Sequence, residues 1–456
     1  MSTQPTFPNL PIDDVRVWDP RTPGLIGSQP WQQQSCEAYL DLGGYTRTLT
    51  AGSPQAAALA AMAAAPSMTT LRGRGGAAFP AMLKLRAVAE AGHEQRQRPT
   101  VVANGAEGEP LSYKDRYLLR YRPHLVLDGL LLAAAAVDAE TAYVYVADAA
   151  SRVSIAAAVT EIDARRDAGP TLQVVTAQDT YVAGEETAVV RAIMTGIARP
   201  KDKPPRPYQV GINDAPTLVL NVETLAWIAR AMAPNPPAEP SGFLATVSGP
   251  GITPRLYELP TGVPLGELVR DVTGQNSSRL NVLMGGFFGG IVPVWPSLPL
   301  SFDAVSARGS SLGCGSLHFL DPSICPVKVA ADVVAFYAEH NARQCRACMS
   351  SSSTIAAVLA SMGKPSRGGG YESKLPRWSS QLRGSGACAV PDGVAVMLRT
   401  LLRYYPGVIS RHIDVGCSQC LRAHQPRRWE HLSLAPSVAP SPGESAPMLA
   451  HLAGVR

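Results

Sequence analysis

Short apolar segments alternate with longer helical ones through the first half of the sequence, and this alternation limits the possible folds most strongly. Residues 100–103 and 142–146 have the apolar content of buried strands. Residues 125–137 and 152–164 have the length and apolar spacing of the helices that separate or follow them. Strands and helices that alternate in this way form layers, so we predict an α/β fold.

The chain has 456 residues, more than a single hydrophobic core usually serves, so two or three domains are expected. A Pro-rich linker at 234–242 precedes a short β-rich module, and the pattern is helical again from about residue 326. The first segment resembles an arm, and the Pro, Ser and Ala content of the last predicts a disordered tail. The expected bounds of the five segments are 1–53, 54–240, 241–325, 326–432 and 433–456.

Charge and hydropathy argue against three broad classes of protein. The formal charge of +5 includes no Lys/Arg block, and only 6% of residues are aromatic, so nucleic-acid binding is not expected. Residues 1–5 lack the basic and apolar regions of a secretory signal. The most apolar stretch, 125–137, is too short to span a bilayer and contains Asp128. We therefore expect a cytoplasmic protein without a membrane span.

The segment 71–80, Leu-Arg-Gly-Arg-Gly-Gly-Ala-Ala-Phe-Pro, has the composition of an anion-binding loop, and Lys84 follows it. Glycines let backbone N–H groups approach a phosphate, and the start of a following helix adds partial positive charge. The segment is neither a P-loop nor a dinucleotide-binding Gly-x-Gly-x-x-Gly with a ribose-binding acid. A tight surface turn is the alternative that composition alone leaves open.

Five segments, in order, resemble the FMN- and NADH-binding flavin subunit of respiratory complex I and its soluble hydrogenase and formate dehydrogenase relatives. The second is Asn-Gly-Ala-Glu-Gly-Glu-Pro at 104–110, and the third contains Gly-Glu-Glu-Thr-Ala at 184–188. The fourth comprises 203–205 and 221–225, and the fifth is the C-terminal cysteine region. Each segment alone is a weak signal, but their shared order is a strong one.

The resemblance implies both architecture and activity. The expected α/β protein has a Rossmann-like FMN-binding domain (54–240), a small β-grasp domain of the ubiquitin-like SLBB type (241–325) and a C-terminal α-helical iron–sulfur bundle (326–432). The implied activity is that of an NADH dehydrogenase (diaphorase)-like flavoprotein oxidoreductase. Electrons would pass from NAD(H) or NADP(H) through FMN and an iron–sulfur cluster to a ferredoxin-like or thioredoxin-like iron–sulfur protein subunit.

Site residues are carried over from the family's motifs. The resemblance assigns the flavin and its phosphate to Gly73, Arg74, Gly75 and Lys84. It assigns the ring and ribityl chain to Asn104, Glu107, Tyr181, Gly184, Glu185, Asn221 and Thr224, with Lys203 in the segment that closes the pocket. Glu186 and Glu109 would lie near the nicotinamide as the catalytic pair, the alternative for them being a network of caps and turns.

Three positions in the flavin segments depart from the family pattern. Ala106 stands where the family has an acid, Gly108 where it has serine and Leu220 where it has a second asparagine. Fewer hydrogen bonds to the flavin's polar edges would alter its reduction potential and weaken its retention.

The dinucleotide side departs further. Of three aromatic positions in the family only Phe79 remains, and Ala87 and Arg206 occupy the other two. Three roles are open for Arg206. Its guanidinium would stack on adenine, or it would pair with a 2′-phosphate and so favour NADPH, or its presence would mark loss of the nucleotide site. Our hypothesis is that NADH binding is weakened and that the flavin exchanges electrons with a protein donor instead.

The cysteine region resembles the family's [4Fe–4S] motif, C-x₂-C-x₂-C with a fourth cysteine about forty residues later. The expected ligands are Cys345, Cys348, Cys388 and, at the third position, Ser351. Serine oxygen is a harder ligand than thiolate, so a labile cluster, a three-iron cluster and no cluster all remain open.

The other cysteines carry further alternatives. Cys417-x₂-Cys420 would supply a replacement thiolate, or join Cys345 and Cys348 around Zn²⁺, and structural thiols are the third possibility. Cys314 is expected to be a small packed residue, whereas Cys36 and Cys325 are expected to be buried hydrophobes.

Two other functions remain open at this point. One is an FMN relay without a nucleotide site that exchanges electrons with ferredoxin-like proteins. The other is a non-catalytic assembly subunit that keeps the fold without the cofactors.

Overall fold

The computed structural model describes residues 12, 14–19, 24–27, 29–46, 55–237, 242–274, 279–362, 371–414, 417 and 420. Within this part of the chain no helix is both long and apolar enough to cross a membrane. The predicted tail at 433–456 lies outside the described residues.

The strands of the described residues form two separate sheets. In chain order they are β1 (Asp14–Val17), β2 (Thr100–Gly105), β3 (Thr141–Val146), β4 (Thr171–Thr176), β5 (Thr217–Asn221), β6 (Gly242–Gly249), β7 (Ile252–Pro260), β8 (Asn281–Met284), β9 (Ile291–Pro293) and β10 (Leu317–Leu320).

The helices cover the first sheet and form the C-terminal third. In chain order the α-helices of the described residues are α1 (Cys36–Asp41), α2 (Gln55–Ala64), α3 (Pro66–Thr69), α4 (Ala81–Gln95), α5 (Lys114–Tyr121), α6 (Pro123–Val137), α7 (Ala149–Asp163), α8 (Glu186–Thr195), α9 (Val222–Met232), α10 (Leu265–Thr273), α11 (Phe302–Ala307), α12 (Pro326–Glu339), α13 (Ser352–Ser361), α14 (Tyr371–Gln381), α15 (Val390–Tyr404) and α16 (Pro406–Asp414). Two 3₁₀ turns, Tyr181–Gly184 and Ile212–Asp214, and a π-helical turn, Ala347–Ser351, complete the helical elements described.

The first sheet is parallel throughout, with strand order β4-β3-β2-β5. The chain moves outward from β2 to β4 and then returns to the opposite side of β2. Such a reversal leaves a crevice at the carboxyl ends of the two strands beside it, where α/β proteins bind ligands. The structure thus confirms the α/β prediction and places its ligand crevice at the ends of β2 and β5.

Helix α6 is buried almost throughout because it packs on the sheet beside helix α9 and is also in contact with α2 and α4. Gly129 of α6 faces the carbonyl of Leu225 so closely that a Cβ atom would clash with the α9 backbone. Glycine at this position therefore lets α9, which begins at the crevice, pack closely against α6.

The second sheet is mixed, with order β1-β7-β6-β10-β8-β9. Its inner face packs around residues such as Phe243, Tyr257 and Phe319, with α10 beside it. Strand β1 comes from the predicted N-terminal arm and pairs in parallel with β7, so that Asp14 is the register partner of Arg255. The arm therefore supplies an edge strand to the module that the β-grasp prediction covers.

The C-terminal helices pack on one another around α12, which contacts α13, α15 and α16. Helix α12 begins at Pro326, where the missing N–H and fixed φ suit a first turn. The predicted helices at 327–341 and 354–361 are present with the cysteine pair between them. This helical end of the molecule confirms the predicted fold class, while the five domain bounds stay predictions.

Candidate active site

Asn104 and Asn221 are register partners at the carboxyl ends of β2 and β5, inside the crevice. Asn221 caps α9 by accepting the Glu223 N–H at 3.0 Å. Its Nδ2 donates to Asp115 Oδ2 at 2.7 Å. Asn104 Nδ2 donates to the Gly184 carbonyl at 2.8 Å, so the two asparagines fix three loops around the crevice.

The Gly-rich loop lies against the same crevice. A Cβ on Gly75 would lie 3.4 Å from Asn221 Cβ, and one on Gly76, whose φ is +114°, would enter open space. The backbone N–H of Arg74 donates to Thr224 Oγ1 at 2.9 Å, which ties the loop to α9. A side chain at position 75 would fill the space in front of Asn221, so glycine keeps this cradle open.

The Arg74 side chain contacts residues of the second sheet and of α11. Its buried side chain donates through Nη2 to the Gly242 carbonyl at 2.9 Å, and its guanidinium lies 5.1 Å from the centroid of the Phe302 ring. Gly73 donates to the Phe79 carbonyl at 2.8 Å and closes the loop. In the structure, the Arg74 side chain thus joins the Gly-rich loop to the second sheet.

A buried ionic cluster supports the crevice from below, and Lys114 is its centre. Lys114 Nζ lies 2.6 Å from Asp115 Oδ1, 3.2 Å from Glu223 Oε2 and 3.1 Å from Asn221 Oδ1. Burial lowers the pKa of Lys114, but the neighbouring carboxylates outweigh it and raise that pKa above its usual value. The lysine stays charged and locks the asparagine amide in one orientation.

Glu107 is used inside the protein rather than at an open face. Its carboxylate accepts hydrogen bonds from Ser112 Oγ at 2.6 Å, from the Asp115 N–H at 3.1 Å and from Arg116 Nε at 3.0 Å. Burial by itself would raise the pKa of Glu107. Arg116 and Lys114 lower this pKa by more than burial raises it, so the net shift is downward. The structure therefore places Glu107 as the cap of α5.

The 3₁₀ turn Tyr181–Gly184 and the start of α8 form the opposite wall. Glu185 caps α8 by accepting the N–H groups of Thr187 at 2.9 Å and Ala188 at 3.1 Å. Lys203 Nζ donates to the same carboxylate at 2.6 Å, which closes the 203–205 segment over the wall. Glu185 therefore caps α8 and joins it to the 203–205 segment.

Glu186 faces the mouth of the crevice between two cations. Lys84 Nζ lies 3.0 Å from Glu186 Oε2, and Arg206 Nη1 lies 3.5 Å from Glu186 Oε1. Burial raises the pKa of Glu186, but Lys84 and the other nearby cations lower it to below its ordinary value. Phe79 lies near the C-terminal end of the Gly-rich loop and is 54% exposed. Its ring is therefore accessible for stacking.

Glu109 contacts the residues that follow β8 of the second sheet. Its Oε2 accepts the Phe287 N–H at 3.2 Å, and a Cβ on Gly286 would clash with its carboxylate. Burial raises the pKa of Glu109 to about 8, so the carboxyl is largely protonated at neutral pH. The structure therefore gives the two glutamates opposite ionisation states.

Three of the predicted cluster ligands come together. Cys345 Sγ lies 3.5 Å from Cys348 Sγ in the segment after α12, and the Cys348 and Cys388 side chains are hydrogen-bonded. Cys348 and Cys388 are buried, and Ser351 is in the same π-helical turn as Cys348. The donor set comprises three thiols and one hydroxyl.

The Tyr181–Gly184 turn and the cysteine region are in contact. The Tyr181 ring centroid lies 5.3 Å from that of Phe336 in α12, and the Tyr181 and Tyr337 hydroxyls are 3.4 Å apart. Glu185 is close enough to Cys388 to raise the pKa of that thiol, after the larger effects of Cys348 and burial. The crevice and the cluster ligands therefore share one wall.

Cys417 and Cys420 lie in a second group, with Cys325 and His412. This is not the arrangement that a replacement thiolate for the first group, or Zn²⁺ between the two C-x₂-C pairs, requires. Cys325 is buried in the hydrophobic core, as expected, and its Sγ also lies 3.3 Å from His412 Nε2. Sequence reasoning missed this contact because 87 residues separate the two positions.

Comparison with known proteins agrees with this geometry. Residues 67–230 match the family model described as the Nuo51 FMN-binding domain, and residues 328–412 match that of the NADH-ubiquinone oxidoreductase-F iron–sulfur binding region.

Relatives in different bacteria share one description, the F subunit of NADH-quinone oxidoreductase. The F 2 subunit of Rhizobium meliloti (strain 1021) is 30% identical over 369 residues, which cover 76% of this chain and 87% of the relative. The F subunit of Streptomyces coelicolor (strain ATCC BAA-471 / A3(2) / M145) is 28% identical over 378 residues, covering 76% and 82% of the two chains.

A solved structure has the same fold. A chain of the NAD⁺-reducing [NiFe]-hydrogenase in its H₂-reduced state superposes with a TM-score of 0.71 at 26% identity, over 84% of this chain and 68% of the other. Sequence, family models and fold thus agree, and the chain belongs to the family of NADH-quinone oxidoreductase F subunits.

Proposed function

We propose that this chain is a flavoprotein oxidoreductase subunit that moves electrons between NAD(P)H and a protein partner, through FMN and an iron–sulfur cluster. The observation that carries the proposal is the shared wall. The turn Tyr181–Gly184 lines the crevice, while Tyr181 packs on α12, the helix that leads to Cys345 and Cys348. One short element therefore connects the two cofactor sites.

The crevice fits a flavin mononucleotide. Gly75 leaves space in front of Asn221, and Lys84 and Lys203 place two ammonium groups at the rim. Each ammonium has more donors than the single carboxylate it contacts here, so each can also bind a phosphate oxygen. Bound FMN supplies hydride exchange with nicotinamide and one-electron exchange with a metal cluster.

The protein's part in the reaction is to position groups and control charge. Glu186, held ionised by Lys84 and Arg206, would orient the amide or ribose of a nicotinamide nucleotide at the mouth. Neutral Glu109, held by Phe287 N–H, would donate a hydrogen bond without adding negative charge. Residues with these roles raise the rate by orientation, because hydride transfer requires a short, fixed donor–acceptor distance.

The cysteine group fits an iron–sulfur cluster with three thiolate ligands. The cluster would be held by Cys345, Cys348 and Cys388, and its fourth iron would be coordinated by Ser351 Oγ or by an exogenous ligand. Cys348 and Cys388 are buried, so water is excluded from their side of the site. Exclusion of water tunes the reduction potential of a cluster.

The partner would dock beside the cluster. Met349, the residue after Cys348, is 65% exposed, which marks an apolar position on the surface next to the ligands. The relatives are named as subunits, so we propose that a ferredoxin-like or thioredoxin-like iron–sulfur protein binds here. We also propose that the complex works in the cytoplasm, where NAD(P)H is found.

The electron donor has a second candidate. The Arg206–Glu186 pair replaces an aromatic contact at the mouth, and a guanidinium there favours a 2′-phosphate. NADPH, or a protein donor acting on an FMN relay, therefore competes with NADH in the proposal.

Purification of the full chain under anaerobic conditions tests the proposed function. Flavin released by denaturation should be FMN, and NADH or NADPH should drive reduction of ferricyanide by the native protein. A chain that binds no flavin when FMN is supplied would overturn the proposal in favour of the assembly-subunit alternative. A chain that binds FMN but accepts electrons only from reduced ferredoxin would replace it with the relay.

A further inference from the structure

Four potential metal ligands converge at the C-terminal end of the helical region. Cys325 is the residue that precedes the first turn of α12, His412 is near the end of α16, and Cys417 and Cys420 follow α16. One ligand atom from each residue lies within 4.8 Å of the other three. Three sulfurs and one imidazole nitrogen are therefore gathered from chain positions up to 95 residues apart.

Two nitrogen–sulfur distances within this Cys₃His group match the edges of a tetrahedral site. His412 Nε2 lies 3.3 Å from Cys325 Sγ and 3.5 Å from Cys420 Sγ. A tetrahedron with Zn–S bonds of about 2.3 Å and a Zn–N bond of about 2.0 Å has nitrogen–sulfur edges of about 3.5 Å. The observed separations need little change to accept a metal ion.

The orientation of His412 fits a ligand. Its Nδ1 lies 2.7 Å from the Val408 carbonyl oxygen. Because a carbonyl only accepts, Nδ1 carries the proton, and the unprotonated lone pair is on Nε2, which faces the sulfurs. Metal-ligating histidines commonly have such a carbonyl partner on the second nitrogen, since it fixes the tautomer and the ring plane.

Burial and ligand chemistry narrow the choice of metal. Cys325, His412 and Cys417 are 4%, 1% and 6% exposed, so the site is closed to solvent on most sides. No carboxylate belongs to the group, which excludes the oxygen ligands that Ca²⁺ and Mg²⁺ require. Three thiolates and an imidazole, with no open fourth position, are typical of structural Zn²⁺.

We propose that Cys325, His412, Cys417 and Cys420 bind a structural Zn²⁺, separate from the redox group of Cys345, Cys348 and Cys388. The ion joins the chain after α16 to the first turn of α12. Since α12 leads to Cys345, the zinc holds the base of the cluster-bearing helix without carrying electrons. This inference goes beyond the proposed function and does not depend on flavin or nucleotide binding.

Metal analysis of the purified full chain and its variants tests the proposal. The wild-type protein should contain about one zinc per chain. Cys420→Ser and Cys417→Ser should each lower zinc at least about tenfold, because a structural site with three remaining ligands binds far more weakly. Cys345→Ser, in the other cysteine group, should leave zinc unchanged.

Two further measurements keep the test decisive if a serine variant misfolds. Cys420→His should retain zinc, and Co²⁺ exchanged into the wild-type chain should show the intense ligand-field bands of a tetrahedral cobalt–thiolate site. Zinc that is lost in Cys345→Ser but kept in Cys417→Ser would overturn the proposal. So would a chain without zinc whose iron content falls in Cys417→Ser, or one whose Cys417 and Cys420 thiols react freely in the native state.

Discussion

Glu109 shows how burial changes the ionisation of one residue. Its ordinary pKa of 4.5 is raised to about 8 by burial, so the folded protein holds a proton that the unfolded chain releases. The contribution of this group to stability is therefore complete below pH 4.5 and is lost as the pH rises through 8. In the wild type, this loss lowers the free energy of unfolding by on the order of a few kcal/mol as the pH rises. We predict that Glu109→Gln does not show this decrease.

Thermal unfolding of the wild type and of Glu109→Gln between pH 4.5 and pH 8.5 measures the effect. The midpoint temperature of unfolding of Glu109→Gln should increase relative to that of the wild type as the pH rises. Glu90→Gln, at an exposed position of α4, is the matched control and should follow the wild type. Equal pH dependence in Glu109→Gln and wild type would show that Glu109 ionises normally.

Arg206 determines the preference between donors if its guanidinium meets a 2′-phosphate. It is 57% exposed at the mouth and paired to Glu186 at 3.5 Å. We predict that Arg206→Ala lowers kcat/KM for NADPH at least about tenfold, or about 1.4 kcal/mol, with little change for NADH. Arg199→Ala, at an exposed arginine upstream, is the control. An equal loss with both nucleotides would mean that Arg206 does not contact the 2′-phosphate.

Some residue contacts were predictable and others were not. Lys84 and Glu186 were both placed near the site from separate motifs, and the structure joins them at 3.0 Å. Lys114 had no assigned role, because nothing in a charged Lys-Asp-Arg stretch indicates that its first residue is 1% exposed. Burial of that lysine depends on Asp115 and Glu223, which are brought together only by the packing of α5 against α9.

At the scale of elements, the 3₁₀ turn Tyr181–Gly184 is held by close backbone contact with the 104–110 segment. A Cβ on Gly108 would lie 2.6 Å from the Tyr181 carbonyl oxygen. We predict that Gly108→Ala displaces the turn and raises the Kd for FMN at least about tenfold, because backbone cannot move aside cheaply. Fluorescence titration of the apoprotein with FMN measures this.

Gly407 offers a matched control for this substitution. A Cβ there would meet only the end of the Arg411 side chain, at 3.9 Å, so Gly407→Ala should leave FMN affinity unchanged. Tight FMN binding by Gly108→Ala would contradict the assignment of this turn to the flavin wall.

Element prediction succeeded where the pattern is local. The strands at 100–103 and 142–146 and the helix at 125–137 were readable because apolar periodicity reports burial along one segment. The pairing of β1 with β7 was not readable, since it joins Asp14 to Arg255 across 241 residues with no turn between them. The Cys₃His group escaped prediction for the same reason.

At the scale of the molecule, the flavin crevice and the cysteine group belong to different parts of the chain but share a wall. Cys388 is buried next to Cys348 in the cysteine group. Glu185, which lies near Cys388 on the side of the crevice, has a separate role as the cap of α8. We predict that Cys388→Ala lowers iron content at least about tenfold while FMN content stays near that of the wild type. Iron and flavin analysis of the anaerobically purified protein, with Cys36→Ala as control, measures both. Simultaneous loss of FMN would show that the cluster supports the flavin site itself.

In the proposed function, electrons from a nicotinamide nucleotide reach the cysteine group through the flavin. Rapid mixing of the anaerobic protein with NADH or NADPH, followed by visible absorbance and freeze-quench EPR, tests it most directly. Flavin absorbance should bleach first and the cluster signal should follow, whereas the flavin of Cys388→Ala should bleach without the later signal. A cluster that is reduced at the same rate in protein stripped of FMN, or a flavin that neither nucleotide bleaches, would contradict it.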